Sequence, residues 1–215
     1  GELSGRIAHD LRNPLAVIRT SIQLLESFED PAINKYGNIL KKVENAVMRI
    51  SHQVDDVMDY VKPKPLSLDK NSLCEIILGA IQKTPYQKNV TIIAPKNDLE
   101  IICDDEKIEI VLLNLILNAI QAMEHNGTIK IRIKDSAFYA IIEIEDSGPG
   151  IPDELKEKVF EPLFTTRQIG TGLGLPSCKI IVERHGGTVS FNSEMGVGTT
   201  FSLTLPKNSI NEERS

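Results

Sequence analysis

The chain has 215 residues, which is long enough for a small domain joined to a medium one. With 41% hydrophobic and 25% charged residues, it has the composition of an ordinary globular protein. A formal net charge of -6 and the lack of a basic stripe argue against a nucleic-acid partner. No apolar run approaches the ~20 residues that a membrane span needs.

The three cysteines, Cys74, Cys103 and Cys178, lie far apart and form no CxxC motif. Their spacing predicts neither a zinc site nor a disulfide framework and suits a reducing compartment. The first ten residues, GELSGRIAHD, lack the charged and apolar segments of a signal peptide. We therefore expect a cytoplasmic segment of a longer protein that makes no direct membrane contact itself, whether or not the whole protein is anchored in a membrane.

The first 61 residues have the periodicity of two amphipathic helices. Apolar residues recur every three or four positions along the first helix: Leu3, Ile7, Leu11, Leu15, Ile18, Ile22 and Leu25. A heptad seam follows along the second: Tyr36, Leu40, Val43, Val47, Ile50, Val54, Val57 and Val61. Because the turn at 28–31 is short, the helices form an antiparallel hairpin, and a lone hairpin cannot enclose its own seam. The sequence predicts an all-α hairpin that dimerises into a four-helix bundle.

The segment Lys62-Pro63-Lys64-Pro65 ends the second helix, because each proline removes an amide donor. Beyond it, short β-rich runs alternate with helical stretches, which predicts a layered α+β domain. The predicted strands are Val90–Ile93, Glu100–Ile102, Thr128–Ile133, Tyr139–Ile144, Thr188–Asn192 and Thr200–Leu205. The predicted helices span 71–83, 105–124, 153–159 and 173–185. We therefore predict a helical domain at 1–62, a linker at 63–67, an α+β domain at 68–207 and a frayed tail at 208–215.

His9 lies on the first helix and points away from its apolar face, where another domain can reach the imidazole. A neutral imidazole is nucleophilic near pH 7, and the neighbouring Asp10 can take or orient its proton. Asn13 lies one helical turn after His9 and projects from the same face. Its carboxamide can orient a water molecule by hydrogen bonding, with positioning of Asp10 as the alternative role.

Asn114 and Asn118 lie four residues apart on a predicted helix that is apolar nearly all round. Their amide oxygens can bind a hard cation, and asparagine is uncommon in such surroundings without a partner or ligand. A polar stripe facing solvent is the alternative. The spacing therefore indicates a candidate ligand site on this helix.

Two glycine-rich segments contain further candidate residues. Asp146-Ser147-Gly148-Pro149-Gly150 follows a predicted strand, where glycines let a ligand approach the backbone. Gly170-Thr171-Gly172-Leu173-Gly174 opens a predicted helix, where unbonded amides and the helix dipole favour phosphate. A plain turn would look similar to the first segment, and the second is neither a P-loop nor a dinucleotide fingerprint.

Six segments in this order resemble the motifs of the histidine kinase family. They are HDLRNPL from His9, NLILNA from Asn114, DSGPG from Asp146, FEPLFTT from Phe160, GTGLGL from Gly170 and GTTF from Gly198. The resemblance spans nearly the whole chain. It implies an ATP-dependent protein-histidine kinase, in which a dimerisation and phosphotransfer hairpin precedes an α+β two-layer sandwich. This sandwich is the Bergerat ATP-binding fold, shared with heat-shock chaperone and type II topoisomerase ATPases.

The resemblance also implies a role for each motif residue. Asp146 would accept a hydrogen bond from the adenine amino group, with Gly148 and Gly150 beside it and Thr199 in support. Asn118 would hold Mg²⁺ with Asn114 supporting. Gly170, Thr171, Gly172, Leu173 and Gly174 would border the phosphates in a lid. Arg167 stands where many relatives carry Lys, and would contact the γ-phosphate. The implied cofactors are ATP and Mg²⁺.

By the same resemblance, His9 accepts the γ-phosphoryl group with Asp10 assisting and passes it to an aspartate of a response-regulator receiver domain. Asn13 would serve dephosphorylation of that regulator. Two alternatives come from other classes: a conformational ATPase of the same superfamily and a non-catalytic dimeric adaptor. The ATPase branch carries a water-activating Glu four residues before the metal-binding Asn, whereas this chain has Asn114 there, which cannot act as a base. Of the remaining histidines, we expect His185 before Gly186 to mark a helix C-terminus.

Overall fold

The computed structural model describes residues 15–23, 25, 37, 39, 40, 43, 47, 50, 65–85, 88–165 and 172–208. The chain divides into two compact units, 1–64 and 65–215. Within the described ranges, no helix is both long and apolar enough to cross a membrane.

The described residues of the first unit are all helical. Leu15, Ile22 and Val47 are buried. Four other described residues of the predicted apolar rows are exposed: Ile18, Leu25, Val43 and Ile50. Because the exposed residues are seven apart on each helix, they form one row of the apolar periodicity, and the single chain leaves this row open to solvent.

The second unit contains seven strands and four helices within 65–85, 88–165 and 172–208. In chain order they are β1 (Asp69–Ser72), α1 (Leu73–Lys83), β2 (Asn89–Ile93), β3 (Glu100–Cys103), α2 (Asp105–Ala122), β4 (Asn126–Asp135), β5 (Tyr139–Asp146), α3 (Asp153–Lys156), α4 (Gly174–Arg184), β6 (Thr188–Glu194) and β7 (Gly198–Pro206).

A five-stranded sheet with the order β2-β4-β5-β7-β6 forms one layer. Its β2–β4 pair is parallel and its other pairs are antiparallel, while β1 and β3 form a separate antiparallel pair. Helix α2 packs against β4, β5, α1 and α4, and so forms the centre of the helical layer. Alternate residues of β5 point into the core, namely Ala140, Ile142 and Ile144, and the next residue in this buried row is Asp146. The sheet thus places a carboxylate at the end of an apolar row.

Three predicted helix boundaries differ from the structure by two residues or more. Residues 71 and 72 belong to β1 instead of opening the helix predicted at 71–83, which begins only at Leu73 because Ser72 caps it by accepting from the Glu75 amide at 3.1 Å. Helix α2 stops at Ala122 and not at the predicted residue 124, because Glu124 and His125 adopt positive φ angles of 51° and 63°. Helix α3 ends at Lys156 and gives way to single turns, not to a helix reaching 159.

Candidate nucleotide-binding site

Asp146 is the last residue of β5, and its side chain is almost completely buried. Its Oδ1 accepts hydrogen bonds from the Gly148 amide at 2.8 Å and from the Thr199 amide at 3.3 Å. Burial raises the pKa of this carboxyl above its usual value, an effect that the two amide donors partly offset. Among the described residues no hydrogen bond reaches Oδ2. The carboxylate is therefore fixed through one oxygen, and the other can accept a hydrogen bond from a ligand.

The turn after β5 lies against the β6–β7 turn and the end of α2. Gly150 adopts φ of 81°, and a side chain there would meet the Glu194 carbonyl. The Pro149 carbonyl accepts from the Gly196 amide at 2.8 Å. A Cβ at Gly148 would lie 3.7 Å from that of Ala122. The predicted pair Gly148 and Gly150 therefore lets the turn approach both elements, and Asp146 lies beside the C-terminal end of α2.

Asn114 and Asn118 lie on α2, half of whose other side chains are buried. The Asn114 Nδ2 atom is buried with no hydrogen-bond partner among the described residues. An unsatisfied buried amide costs about 1–3 kcal/mol, so such an atom is expected to meet a ligand acceptor. The interpretation of this pair as a solvent-facing stripe is therefore wrong for Asn114.

The start of α4 lies beside Asn114, since a Cβ at Gly174 would be 3.9 Å from Asn114 Oδ1. No side chain of the described residues caps this helix, whereas Asp104 caps α2 through the Lys107 amide at 3.0 Å. Amides of the first turn of α4 thus lack an intrahelical acceptor, which favours a bound anion. Gly172, at φ of 65°, precedes this turn and its carbonyl accepts from the Leu163 amide at 3.0 Å.

The structure brings together Asp146, Gly148, Gly150 and Thr199 at one end of α2, and Asn114, Leu173 and Gly174 at the middle of that helix. Gly172 is tied to Leu163 near the same helix start. Six predicted site residues lie outside the described part of the chain: His9, Asp10, Asn13, Arg167, Gly170 and Thr171. Their roles remain predictions.

His185 is at the C-cap of α4, as the sequence predicts, but it is buried and not a surface residue. Its Nε2 accepts from the Asp104 amide at 3.1 Å, and its Nδ1 lies 2.8 Å from the Ile181 carbonyl oxygen, to which Nδ1–H donates. Burial lowers the pKa of the ring and Arg184 adds to this effect, while the Ile181 carbonyl and Asp104 oppose it. The Asp104 carboxylate also accepts from the Ser67 amide at 2.9 Å. This neutral histidine therefore joins α4 to the N-cap of α2.

Ser193 also belongs to this candidate site, although no motif in the sequence predicts it. It is buried on β6, and its Oγ lies 2.8 Å from Thr199 Oγ1. The signal in the sequence was its register, because Ser193 follows Val189 and Phe191 at alternate positions and so belongs to the inward row of the strand. A serine in an apolar row needs a polar partner, which in this chain is Thr199.

Comparison with known proteins identifies both units. The family model "His Kinase A (phospho-acceptor) domain" matches residues 1–65, and the model "Histidine kinase-, DNA gyrase B-, and HSP90-like ATPase" matches residues 103–209. The sensor histidine kinase ZraS of Escherichia coli K12 is 35% identical over 215 residues, which cover 97% of this chain and 46% of ZraS. The chain thus spans less than half of the length of curated relatives such as ZraS.

Solved structures give the same result. The catalytic domain of the histidine kinase ThkA is 36% identical with a TM-score of 0.58, over 66% of this chain and 97% of that domain. A structure of ThkA in complex with the response regulator TrrA is 33% identical with a TM-score of 0.62, over 100% of this chain and 63% of that chain. The chain belongs to the histidine kinase family. The family resemblance and the predicted fold class, a helical hairpin followed by the α+β ATP-binding fold, are confirmed.

Proposed function

We propose that this chain is the catalytic core of a histidine kinase, which binds ATP along α2 and transfers its γ-phosphoryl group to His9. The observation that carries this proposal is the arrangement on α2. A buried carboxylate acceptor lies beside Ala122, whereas an amide donor with no partner in the described part of the chain lies at Asn114, beside the start of α4. These positions are eight residues apart, or about 12 Å along the helix axis. A nucleoside triphosphate has a base and a phosphate tail separated by a comparable length.

At the base end, Asp146 suits adenine because an ionised carboxylate only accepts hydrogen bonds, and the 6-amino group of adenine donates them. At the same ring position, position 6, guanine carries a carbonyl oxygen, which a carboxylate repels. The backbone amides of Gly148 and Thr199 hold Oδ1, so that Oδ2 is the oxygen offered to the base. Thr199 and the glycine turn complete this end of the site.

At the phosphate end, the amides of the first turn of α4 and Asn114 Nδ2 are donors that suit phosphate oxygens. A cation cannot satisfy an N–H donor, so Asn114 could meet Mg²⁺ only through Oδ1. Asn118, one helical turn further on, offers a second amide oxygen and is the main metal ligand in this proposal. When bound, Mg²⁺ neutralises charge on the phosphate oxygens. We assign Gly170, Thr171 and Gly172 to the lid over the phosphates, and Arg167 to the γ-phosphate.

In the transfer step, a ring nitrogen of His9 attacks the γ-phosphorus. A nitrogen–phosphorus bond forms, the bond from phosphorus to the bridging oxygen breaks and ADP leaves. The proton on the other ring nitrogen is oriented or accepted by Asp10. Alignment of the γ-phosphate with the nucleophile supplies most of the rate, since phosphoryl transfer needs little covalent help from the protein.

We further propose a homodimer that phosphorylates a response-regulator receiver domain. The open apolar row of the first unit supports the dimer, because a second copy would cover Ile18, Leu25, Val43 and Ile50. The complex of ThkA with its regulator supports the partner class. We assign residues 1–62 to dimerisation and phosphotransfer, 63–67 to the linker, 68–207 to ATP binding and 208–215 to a tail. The segment would act in the cytoplasm, and Asn13 would assist dephosphorylation of the regulator.

The test is incubation of the chain with ATP labelled at the γ-phosphate, followed by acid treatment. A kinase gives label on the protein that acid removes, as expected of phosphohistidine. Release of phosphate without labelled protein would indicate a conformational ATPase, and binding without turnover would indicate an adaptor. The matched variant His9→Gln should lose the label while its ADP affinity stays within a few-fold. Acid-labile label on His9→Gln would overturn the assignment of the acceptor.

A further inference from the structure

Ser193 lies where three segments of the base end meet. Its Oγ accepts a hydrogen bond from the Ile151 amide at 2.8 Å, and it lies 2.8 Å from Thr199 Oγ1 and 3.2 Å from the Gly198 carbonyl oxygen. Its own carbonyl accepts from Lys156 Nζ at 2.9 Å. The residue therefore connects β6 to the turn after β5, to α3 and to the start of β7.

These contacts act on both donors that fix the Asp146 carboxylate. One donor is the amide of Thr199, whose side chain is bonded to Ser193. The other is the amide of Gly148, three residues before Ile151 in the same turn. We propose that Ser193 is a positioning residue for purine recognition, because its hydroxyl holds both segments in the arrangement that points Asp146 Oδ2 at the base. The inference rests on the nucleotide site proposed above.

The Ser193 hydroxyl also influences whether the Thr199 hydroxyl acts as a hydrogen-bond donor or acceptor. Its single hydroxyl proton can go to Gly198 O or to Thr199 Oγ1. When it goes to Gly198, the Thr199 hydroxyl donates to Ser193 and offers only lone pairs to its other neighbours. That state makes Thr199 an acceptor, like Asp146, which suits a base carrying an amino group. Replacement of Ser193 by alanine leaves the Thr199 proton without this acceptor and the Ile151 amide without its partner.

The experiment compares ADP with purine riboside diphosphate, which lacks the 6-amino group, by calorimetric titration of the whole chain. The dissociation constant of purine riboside diphosphate divided by that of ADP measures recognition of the amino group. Loss of one positioning hydrogen bond should reduce this ratio roughly five- to tenfold in Ser193→Ala. The control Ser190→Ala removes an exposed hydroxyl from the same strand and should leave the ratio unchanged. Ser193→Thr retains the hydroxyl and should keep the ratio within about threefold of the original.

Equal weakening of both nucleotides in Ser193→Ala would overturn the inference, since it would indicate a structural role alone. An unchanged ratio would overturn it too. Should Ser193→Ala not fold, hydrogen exchange on the unmodified chain decides: ADP should protect the Ile151 amide more than purine riboside diphosphate does, and equal protection contradicts the proposal. No binding of ADP by the unmodified chain would overturn the proposed function itself, and this inference with it.

Discussion

Replacement of Asp146 by asparagine should separate ligand binding from stability. The carboxamide oxygen of the new side chain can keep both backbone hydrogen bonds to Gly148 and Thr199, which fixes the rotamer and places the amide nitrogen where Oδ2 was. A donor then faces the adenine amino group, which is also a donor. Loss of a hydrogen bond to a charged acceptor costs about 1.5–3 kcal/mol, equivalent to roughly a 10- to 150-fold weaker affinity for ADP.

The same substitution should leave the ligand-free chain at least as stable at neutral pH. Burial raises the pKa of Asp146, which means that the folded state disfavours the charged form. When the pKa of a carboxyl is higher in the folded than in the unfolded state, the free energy of unfolding falls over a range of pH. This range runs from the pKa of the unfolded state, about 3.9, up through the pKa of the folded state. The neutral asparagine avoids this loss. Its advantage should therefore be present at pH 7.5 and shrink towards pH 4.

The assay is calorimetric titration with ADP together with urea unfolding of the nucleotide-free chain at both pH values. Asp146→Ala is the companion variant, because it loses the backbone contacts as well and should lose stability along with affinity. Two results would refute the reasoning. One is unchanged ADP affinity in Asp146→Asn, which would place the base elsewhere. The other is a fall in its unfolding free energy of more than about 1 kcal/mol at pH 7.5, which would give the carboxylate a structural role.

Three further predictions concern other parts of the chain. Asn13→Ala should slow dephosphorylation of the cognate regulator in the presence of ADP while autophosphorylation persists; equal rates of label loss would remove Asn13 from that reaction. Val43→Asp combined with Ile50→Asp should give monomers by light scattering, whereas the control Val17→Asp should remain dimeric; a dimeric double variant would contradict the proposed interface. The lowered pKa of His185 means that the unfolded state binds the proton first, so stability should fall as the pH drops below about 6.5. His185→Gln should cost about 1–3 kcal/mol at pH 8 and flatten this pH dependence, as measured by urea unfolding; an unchanged slope would show that another group titrates.

Much of the fold could be predicted from periodicity. All six predicted strands are present in the second unit, because their alternating apolar residues have to face a common core. Strand β1 could not be predicted, since Asp69, Lys70, Asn71 and Ser72 show no apolar alternation. This strand exists because β3 supplies a partner in space. Strand pairing between distant segments is a tertiary interaction that local sequence does not encode.

The candidate site also has features that the sequence predicts and features that depend on tertiary packing. The order of the motifs predicted which residue types belong together, including Asp146 after a strand and Asn114 on an apolar helix. Tertiary packing determined the contacts of each group: the two amides on Asp146 Oδ1, the Asn114 Nδ2 that has no partner among the described residues, and the burial of His185. The sequence could not predict Ser193, because its proposed role depends on contacts with segments that are distant along the chain.

The helical hairpin illustrates the distinction most directly. Val43, Val47 and Ile50 share one apolar face, and the sequence predicts this because helical periodicity depends only on spacing along the chain. Tertiary packing then buries Val47 and leaves Val43 and Ile50 exposed in the single chain. Burial depends on what packs against a helix. Apolar residues on one face can therefore differ in burial, because the rest of the chain covers only part of that face.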